Sequence, residues 1–243
     1  LHTLGLVAED QGDYLAARAH FEESLALERE MGDKRGISTS LNYLGIVANR
    51  QGDYVTTRAF FEDGLALRRE IGDKQGIAAS LTNLGIVANY QGDQTTARAL
   101  HEQSLALWRE MGDRWGIEIS LSNLGFVAEE QGDYVNARAL FTEGLALARE
   151  LDNKRGISIL LNNLGNLAIE QGDAATAQAH YRECLALCKE TGNQLYFVYS
   201  LSGLAAVMAH RDDLPRATQL VAAAETLRLT VGAIREKMEA RIY

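Results

Sequence analysis

The residues able to perform chemistry are few in this chain of 243 residues, and their spacing matches no complete catalytic or metal site. His101-Glu102 begins the zinc-protease pattern His-Glu-x-x-His, but Leu105 stands where the second histidine is required. Cys184 and Cys188 lie four residues apart on one helix face, yet a zinc site needs about four ligands and no companion pair is visible. His101, Cys184 and Cys188 are therefore interpreted as core-packing residues, and we expect no metal and no cofactor.

One aspartate recurs at the same point of an internal pattern. An enzyme needs a single asymmetric group of residues, whereas a helix N-terminus needs a capping carboxylate every time it occurs. The sequence contains no Gly-rich phosphate loop and no nucleophile–base set, so it predicts a protein that is not an enzyme. The recurring residues, interpreted as helix caps, are Asp13, Asp53, Asp93, Asp133, Asp173 and Asp213.

The composition excludes several classes of protein. The net charge is 24 − 33 = −9, which argues against binding of nucleic acid or of an anionic membrane. The apolar runs are too short to span a bilayer, and two cysteines exclude a disulfide framework and favour the cytoplasm. The sequence begins at Leu1 without a methionine or a signal sequence, so we expect it to be part of a longer protein.

The elements that position these residues are set by a repeat of 40 residues, since residues 1–40 and 41–80 are identical at 24 of 40 positions. Ile37, Leu41, Leu44 and Ala48 place one apolar stripe on a helix, which we name helix A. Gln51-Gly52-Asp53 then combines a left-handed glycine past the helix end with an N-cap for the second helix, helix B. Helices A are predicted near 1–11, 36–51, 76–91, 116–131, 156–171 and 196–211, and helices B near 14–31, 54–71, 94–111, 134–151, 174–191 and 214–230.

The pattern Leu41-x-x-Leu44-Gly45-x-x-Ala48, followed by Thr57 and Phe61, resembles the tetratricopeptide repeat. The usual unit of that family has about 34 residues and ends in proline. Here the unit has 40 residues and a basic residue replaces the proline, which is similar to the long repeats of kinesin light chains and of bacterial signalling regulators.

The resemblance implies an all-α, right-handed superhelical solenoid with six helix-turn-helix repeats in one domain, residues 1–243. The repeats are 1–35, 36–75, 76–115, 116–155, 156–195 and 196–232. A short C-terminal helix is predicted over residues 233–243, where Ile234, Met238 and Ile242 have helical spacing.

In this family helices A line a concave face that usually holds a peptide or a partner helix. The resemblance therefore implies a protein- or peptide-binding scaffold, in the setting of a larger bacterial signalling regulator. We expect binding at variable positions off the apolar stripe: Thr39, Asn42, Ile46, Asn49, Thr82, Ile86, Asn89, Tyr90, Ser122, Phe126, Glu129, Asn162, Asn166 and Tyr199.

Alternatives remain open from the sequence. The variable residues either bind a partner or only solvate the groove, and the array is either a binding module or a spacer that self-associates through its exposed ends into a homo-oligomer. Asn83, Asn123 and Asn163 either contact a ligand or hydrogen-bond between successive helices. Trp108 and Trp115 either anchor a partner or cover the seam between repeats, and the second interpretation is favoured.

Overall fold

The protein is helical throughout the described part of the chain. The computed structural model describes residues 1–239, with side chains described through residue 230, and this range contains no strand. The helices are α1 (His2–Asp10), α2 (Tyr14–Met31), α3 (Lys34–Arg50), α4 (Tyr54–Glu70), α5 (Lys74–Tyr90), α6 (Gln94–Met111), α7 (Arg114–Glu130), α8 (Tyr134–Glu150), α9 (Lys154–Glu170), α10 (Ala174–Thr191), α11 (Gln194–His210) and α12 (Leu214–Glu239). Odd-numbered helices are the predicted helices A and even-numbered helices are the predicted helices B. The prediction of an all-α fold of repeated helix pairs is confirmed.

Glycine and aspartate end one helix and begin the next. After α3, Gly52 has a φ of +77°, a left-handed conformation that a side chain would strain. The Asp53 carboxylate then accepts a hydrogen bond from the backbone N–H of Thr56 at 3.1 Å. The equivalent cap bond forms at Asp13, Asp93, Asp133, Asp173 and Asp213. The predicted capping role of the recurring aspartates is confirmed.

Helices A begin earlier than predicted. α3 begins at Lys34 rather than at residue 36, because Asp33 caps it by accepting from the N–H groups of Arg35 and Gly36. Gly36 therefore lies inside the first helical turn rather than at the start of the helix. The same shift occurs in α5, which Asp73 caps.

In each of the first five repeats, an aromatic ring of helix B lies on a glycine of the preceding helix A. A Cβ atom added at Gly125 would be 2.5 Å from Cε1 of Phe141, closer than side chains tolerate, so only glycine allows the two helices this separation. Phe141 is completely buried as a result. The repeated pairs are Gly5–Phe21, Gly45–Phe61, Gly85–His101, Gly125–Phe141 and Gly165–Tyr181.

The chain forms two compact units, residues 1–116 and residues 117–237, and each has its own core. In the first unit, Leu41, Leu44 and Val47 of α3 pack in one buried cluster with Phe21 and Leu25 of α2. In the second unit, α8, α9 and α10 form a larger cluster that includes Phe141, Leu160 and Cys184. Truncating such a ring to alanine costs about 3–5 kcal/mol, so these clusters hold the helix pairs together.

One buried position of helix B carries a different residue type in each of the first five repeats, and we call it the variable buried position. Glu28 accepts hydrogen bonds from Ser24 at 3.1 Å and Ser40 at 2.7 Å. Arg68 donates to Ser80 at 2.6 Å. The position is completed by Trp108, Ala148 and Cys188, all buried. Each residue is thus accommodated by its own neighbours rather than by a common pocket.

The C-terminal part differs from the prediction. α12 continues from Leu214 to Glu239, so the expected break before a separate helix at 233–243 does not occur in the described residues, and residues 240–243 lie outside them. Gly192 is followed by Asn193, which caps the next helix, but Gly232 is followed by Ala233, which has no capping side chain. Separately, none of the helices in the described range has the length and apolarity that crossing a membrane requires.

Candidate functional site

The residues first considered for chemistry are core residues. His101 is completely buried on Gly85, and neither ring nitrogen has a hydrogen-bond partner. Burial lowers its pKa to about 4, so the ring is neutral at pH 7. Cys184 and Cys188 are free and buried with their Sγ atoms 3.8 Å apart, and the Cys184 thiol donates to the Ser158 carbonyl at 3.2 Å. The prediction that these three side chains pack in the core is confirmed.

In the first unit, part of the predicted binding set is committed to internal hydrogen bonds. The Asn83 amide donates to Oδ1 of Asn42 at 2.9 Å, which joins α5 to α3 and confirms the inter-helix interpretation for Asn83. Thr82 is buried and its hydroxyl is bonded to Ser104 at 2.8 Å. Thr39 is half-buried, and its hydroxyl donates to the carbonyl of Arg35 at 3.0 Å.

The remaining residues of that set in the first unit are half-buried or exposed. Asn49 and Asn89 are half-buried, and their side-chain oxygens have no hydrogen-bond partner. Tyr90 is 61% exposed and stacks on Tyr54 with ring centroids 5.6 Å apart. Half-buried apolar side chains lie at Ile46 and Ile86. These residues therefore offer amide and apolar groups without a formal charge.

In the second unit, the predicted residues fall into three groups. Asn162 is buried, so it is not available to a ligand. Ser122 is half-buried, and Tyr199 is exposed with its ring edge-on to Tyr196 at 5.7 Å. Phe126, Glu129 and Asn166 lie together around one cavity.

The cavity has a volume of ≈ 500 Å³, and three successive helices A contribute to it. α7 supplies Phe126, Glu129 and Glu130, α9 supplies Asn166, Ile169 and Glu170, and α11 supplies Gly203 and Ala206. Tyr134 of α8 and Tyr181 of α10 complete the lining. Phe126 leaves 42% of its surface exposed, so its ring is available to a ligand in the cavity.

The electrostatics of the cavity are dominated by carboxylates. Burial, together with the nearby charges of Glu130 and Glu170, raises the pKa of Glu129 to about 7. Burial likewise raises the pKa of the Tyr181 hydroxyl, so that the phenol stays protonated and donates to Oδ1 of Asn166 at 2.7 Å. The cavity can therefore accept hydrogen bonds and positive charge.

Sequence reasoning missed the part of the cavity formed by Tyr181 and Gly203. A side chain at Gly203 would overlap the Tyr181 ring, whose other side lies on Gly165. The signal was present, because Gly203 stands where the three preceding repeats have Asn83, Asn123 and Asn163. Loss of that asparagine makes room for the tyrosine. Glu130, Glu170 and Tyr134 gave no such signal.

The two tryptophans behave differently. Trp108 is buried, and its ring covers Gly116 so closely that no side chain would fit there. The packing interpretation is confirmed for Trp108. Trp115 is 51% exposed.

Comparison with known structures identifies several proteins of similar fold. BtubC (BKLC) from P. vanneervenii has a TM-score of 0.75 and 19% identity, covering 88% of this chain and 91% of that one. A Rap protein complexed with competence and sporulation factor has a TM-score of 0.75 and 16% identity, covering 99% of this chain and 69% of that one. A putative kinesin light chain from Podosopora anserina has a TM-score of 0.63 and 15% identity, covering 79% of this chain and 95% of that one. At these identities the likeness shows the fold.

No curated protein was found to match this sequence. The sequence profile described as tetratricopeptide repeat matches residues 1–70, 36–110 and 116–190. Since these matches cover most of the chain, it belongs to the tetratricopeptide repeat family, in the long form predicted from its 40-residue period.

Proposed function

We propose that this chain is a non-catalytic scaffold that binds a peptide or a protein segment along its helices A. The observation that carries the proposal is the cavity of ≈ 500 Å³ lined jointly by α7, α9 and α11. Ligand sites in proteins have volumes in the range of about 300–1,000 Å³ and combine apolar walls with a few polar groups. Phe126, Glu129 and Asn166, three residues expected to bind from the sequence, all line it.

Unpaired amide groups in the first unit support the same function. The side-chain oxygens of Asn49 and Asn89 are buried without partners, and a peptide N–H group would satisfy them once the amide turns outward. An unsatisfied buried acceptor costs about 1–3 kcal/mol, so a bound backbone would recover part of this free energy. Tyr90 and Ile86 supply apolar contact beside them.

The family and the comparisons also support this proposal. Tetratricopeptide repeats generally act as binding scaffolds rather than as enzymes, and one structural neighbour is complexed with competence and sporulation factor. We place the function in the cytoplasm, which the two free thiols favour, and in the repeat arm of a larger bacterial signalling regulator. Sequencing the flanking reading frame tests the last point, because an adjoining nucleotide- or DNA-binding domain would support it and an isolated repeat frame would contradict it.

A displayed random-peptide library selected on the immobilised chain tests the binding function. The enriched peptides are then measured against Phe126→Ala and against Val135→Ala, which also truncates an exposed apolar side chain but lies on α8 outside the cavity lining. We expect Phe126→Ala to weaken peptide binding by roughly tenfold or more, as for a residue at the centre of a binding interface. Val135→Ala should bind the peptides as tightly as the parent chain does. Equal loss in both variants, or no enriched peptide, would contradict the proposal.

Self-association is a second candidate, favoured by the exposed apolar side chains of α1. Leu4 and Val7 leave 55% and 49% of their surfaces exposed, although the other helices A bury their apolar stripe. Such a face can pair with a second copy. Light scattering across a concentration series separates the candidates, since a strict monomer at high concentration removes this one.

A further inference from the structure

The cavity of the second unit carries three carboxylates that have no cationic partner. Glu129, Glu130 and Glu170 all line it, and none of them forms an ion pair within the described residues. By contrast, several exposed carboxylates elsewhere are paired, for example Glu70 with Lys34 at 2.8 Å and Glu110 with Lys74 at 2.6 Å. The lining of the cavity contains no lysine, arginine or histidine.

The backbone adds negative charge at the same place. Glu129 and Glu130 are the last residues of α7, and Glu170 is the last residue of α9. A helix C-terminus carries a partial negative charge from its free carbonyl groups, and a basic residue there would be stabilising. Neither helix has a basic residue in its last turn, although α3 ends with Arg50 at the equivalent position. Two helix ends and three carboxylates therefore concentrate negative potential on one opening.

The shape and lining of the cavity favour an organic cation over a metal ion. Across the described residues, no three His, Cys, Asp or Glu side chains lie close enough together to hold a metal. The cavity is instead wide, and aromatic side chains stand beside the carboxylates at Phe126 and Tyr134. A planar guanidinium both stacks on an aromatic face and donates paired hydrogen bonds to carboxylates, which a compact ammonium does not match.

We propose that this cavity receives the guanidinium group of an arginine side chain from the bound partner, with Glu129 and Glu170 as its carboxylate contacts and Phe126 as its stacking surface. The inference rests on the proposed function for the source of that arginine. It adds that the partner segment is basic, which complements the net charge of −9 of this chain.

The direct test uses N-acetyl-argininamide as the probe on the full chain, with N-acetyl-citrullinamide as its neutral isostere. Ligand-observed NMR titration gives the dissociation constant of each compound. We expect argininamide to bind at least about fivefold more tightly than citrullinamide, and this preference to shrink as the salt concentration rises. Equal affinities for the two compounds would overturn the inference.

A charge-matched pair of variants locates the site. Glu129→Gln with Glu170→Gln removes two carboxylates from the cavity, whereas Glu23→Gln with Glu102→Gln removes two exposed carboxylates outside it. The first pair is expected to weaken argininamide binding by roughly tenfold or more, and the second by less than about twofold. Argininamide binding that survives unchanged in the first pair would overturn the assignment of the site.

The pH dependence gives an independent readout. Glu129 must ionise to hold a guanidinium. The charges of Glu130 and Glu170 disfavour that ionisation, and the protonated Tyr181 hydroxyl does not assist it. Argininamide binding should therefore strengthen between pH 6 and pH 8 in the parent chain. A flat profile would contradict the role of Glu129.

The peptide selection distinguishes failure of this inference from failure of the proposed function. Enriched peptides that lack arginine, and that bind the Glu129→Gln, Glu170→Gln variant as well as the parent chain, would leave the scaffold function in place and remove the arginine site. Absence of any enriched peptide would remove the scaffold function, while the argininamide titration would still decide whether the cavity binds guanidinium.

Discussion

Replacing His101 by phenylalanine should stabilise this protein, and most strongly in mild acid. His101 occupies the place that Phe21, Phe61 and Phe141 hold in other repeats, and it lies on Gly85 as Phe141 lies on Gly125, with the same 2.5 Å separation to an added Cβ. The site therefore already has the shape of a phenyl ring. The substitution removes two buried nitrogens that lack hydrogen bonds, without opening a cavity.

The size of the effect follows from the pKa of the buried ring. Burial lowers that pKa from 6.5 in the unfolded chain to about 4 in the fold, so the histidine contributes its full stability above pH 6.5 and loses it as the pH falls towards 4. Proton linkage then predicts that the parent loses about 2 kcal/mol of unfolding free energy between pH 7 and pH 5 from this residue. His101→Phe should lose none of it, and should gain a further ~1 kcal/mol or more at both pH values.

Urea unfolding followed by circular dichroism at pH 7 and pH 5 measures both quantities. His20→Gln is the matched control, because it also removes one histidine from the first unit but from a half-exposed position. The parent and the control should share the same acid sensitivity, and His101→Phe should show clearly less. If His101→Phe is no more stable at pH 7 and loses as much stability at pH 5 as the parent, the reasoning from burial is wrong.

Three further predictions concern packing, capping and the cavity. Gly203→Ala should lower stability by about 1–3 kcal/mol in a denaturant titration because the added methyl overlaps the Tyr181 ring, while Gly64→Ala, where the nearest atom is 3.4 Å away, should be neutral or stabilising; equal effects would refute the packing argument. Asp53→Ala should lower the midpoint of thermal unfolding and Asp53→Asn should largely preserve it, since the hydrogen bond to Thr56 that lowers the aspartate pKa is a cap that asparagine can also make; equal losses would argue against capping. The pKa of Glu129 is about 7 in the fold and 4.5 in the unfolded chain, so the stability that Glu129 contributes is full below pH 4.5 and is lost as the pH rises towards 7. Glu129→Gln should therefore be more stable than the parent at pH 8, by about 1–2 kcal/mol after allowing for solvent screening, and equal to it near pH 4.5. If the difference in unfolding free energy between Glu129→Gln and the parent is the same at pH 8 as at pH 4.5, this last prediction is wrong.

The repeated features of the fold were predictable because residues close together in the sequence determine each of them. Gly52 and Asp53 specify a helix end and a helix start without help from distant residues, and the apolar stripe of Leu41 and Leu44 fixes the buried face. The exception lies in the last repeat. The helical spacing of Ile234 and Met238 predicted a helix there, but it did not indicate whether that helix is separate from the preceding helix B. A missing cap after Gly232, rather than the apolar spacing, decided that α12 continues.

The candidate site was only partly predictable, because repetition says nothing about a unique place. Periodicity identified Phe126, Glu129 and Asn166 as positions that packing leaves free, and they do line the cavity. The same periodicity included Thr82 and Asn162, which are buried. Which free positions meet depends on contacts between repeats, such as the one that Gly203 permits to Tyr181, and a single repeat does not encode them.

The variable buried position has a consequence for how such a regular chain folds at all. With 24 of 40 positions identical between the first two repeats, a helix that paired with the wrong neighbour would lose little free energy, and the chain would meet many nearly degenerate states. Trp108 and the small Ala148, which shares a core with Leu160, are not interchangeable in volume. Pairing α6 with α9 would press an indole against Leu160, whereas Ala148 in place of Trp108 would leave a void over Gly116. The differences at this position thus distinguish the repeats, because each helix packs well only against its own partner. Mispaired states, which near-identical repeats would otherwise populate as kinetic traps, are thereby destabilised.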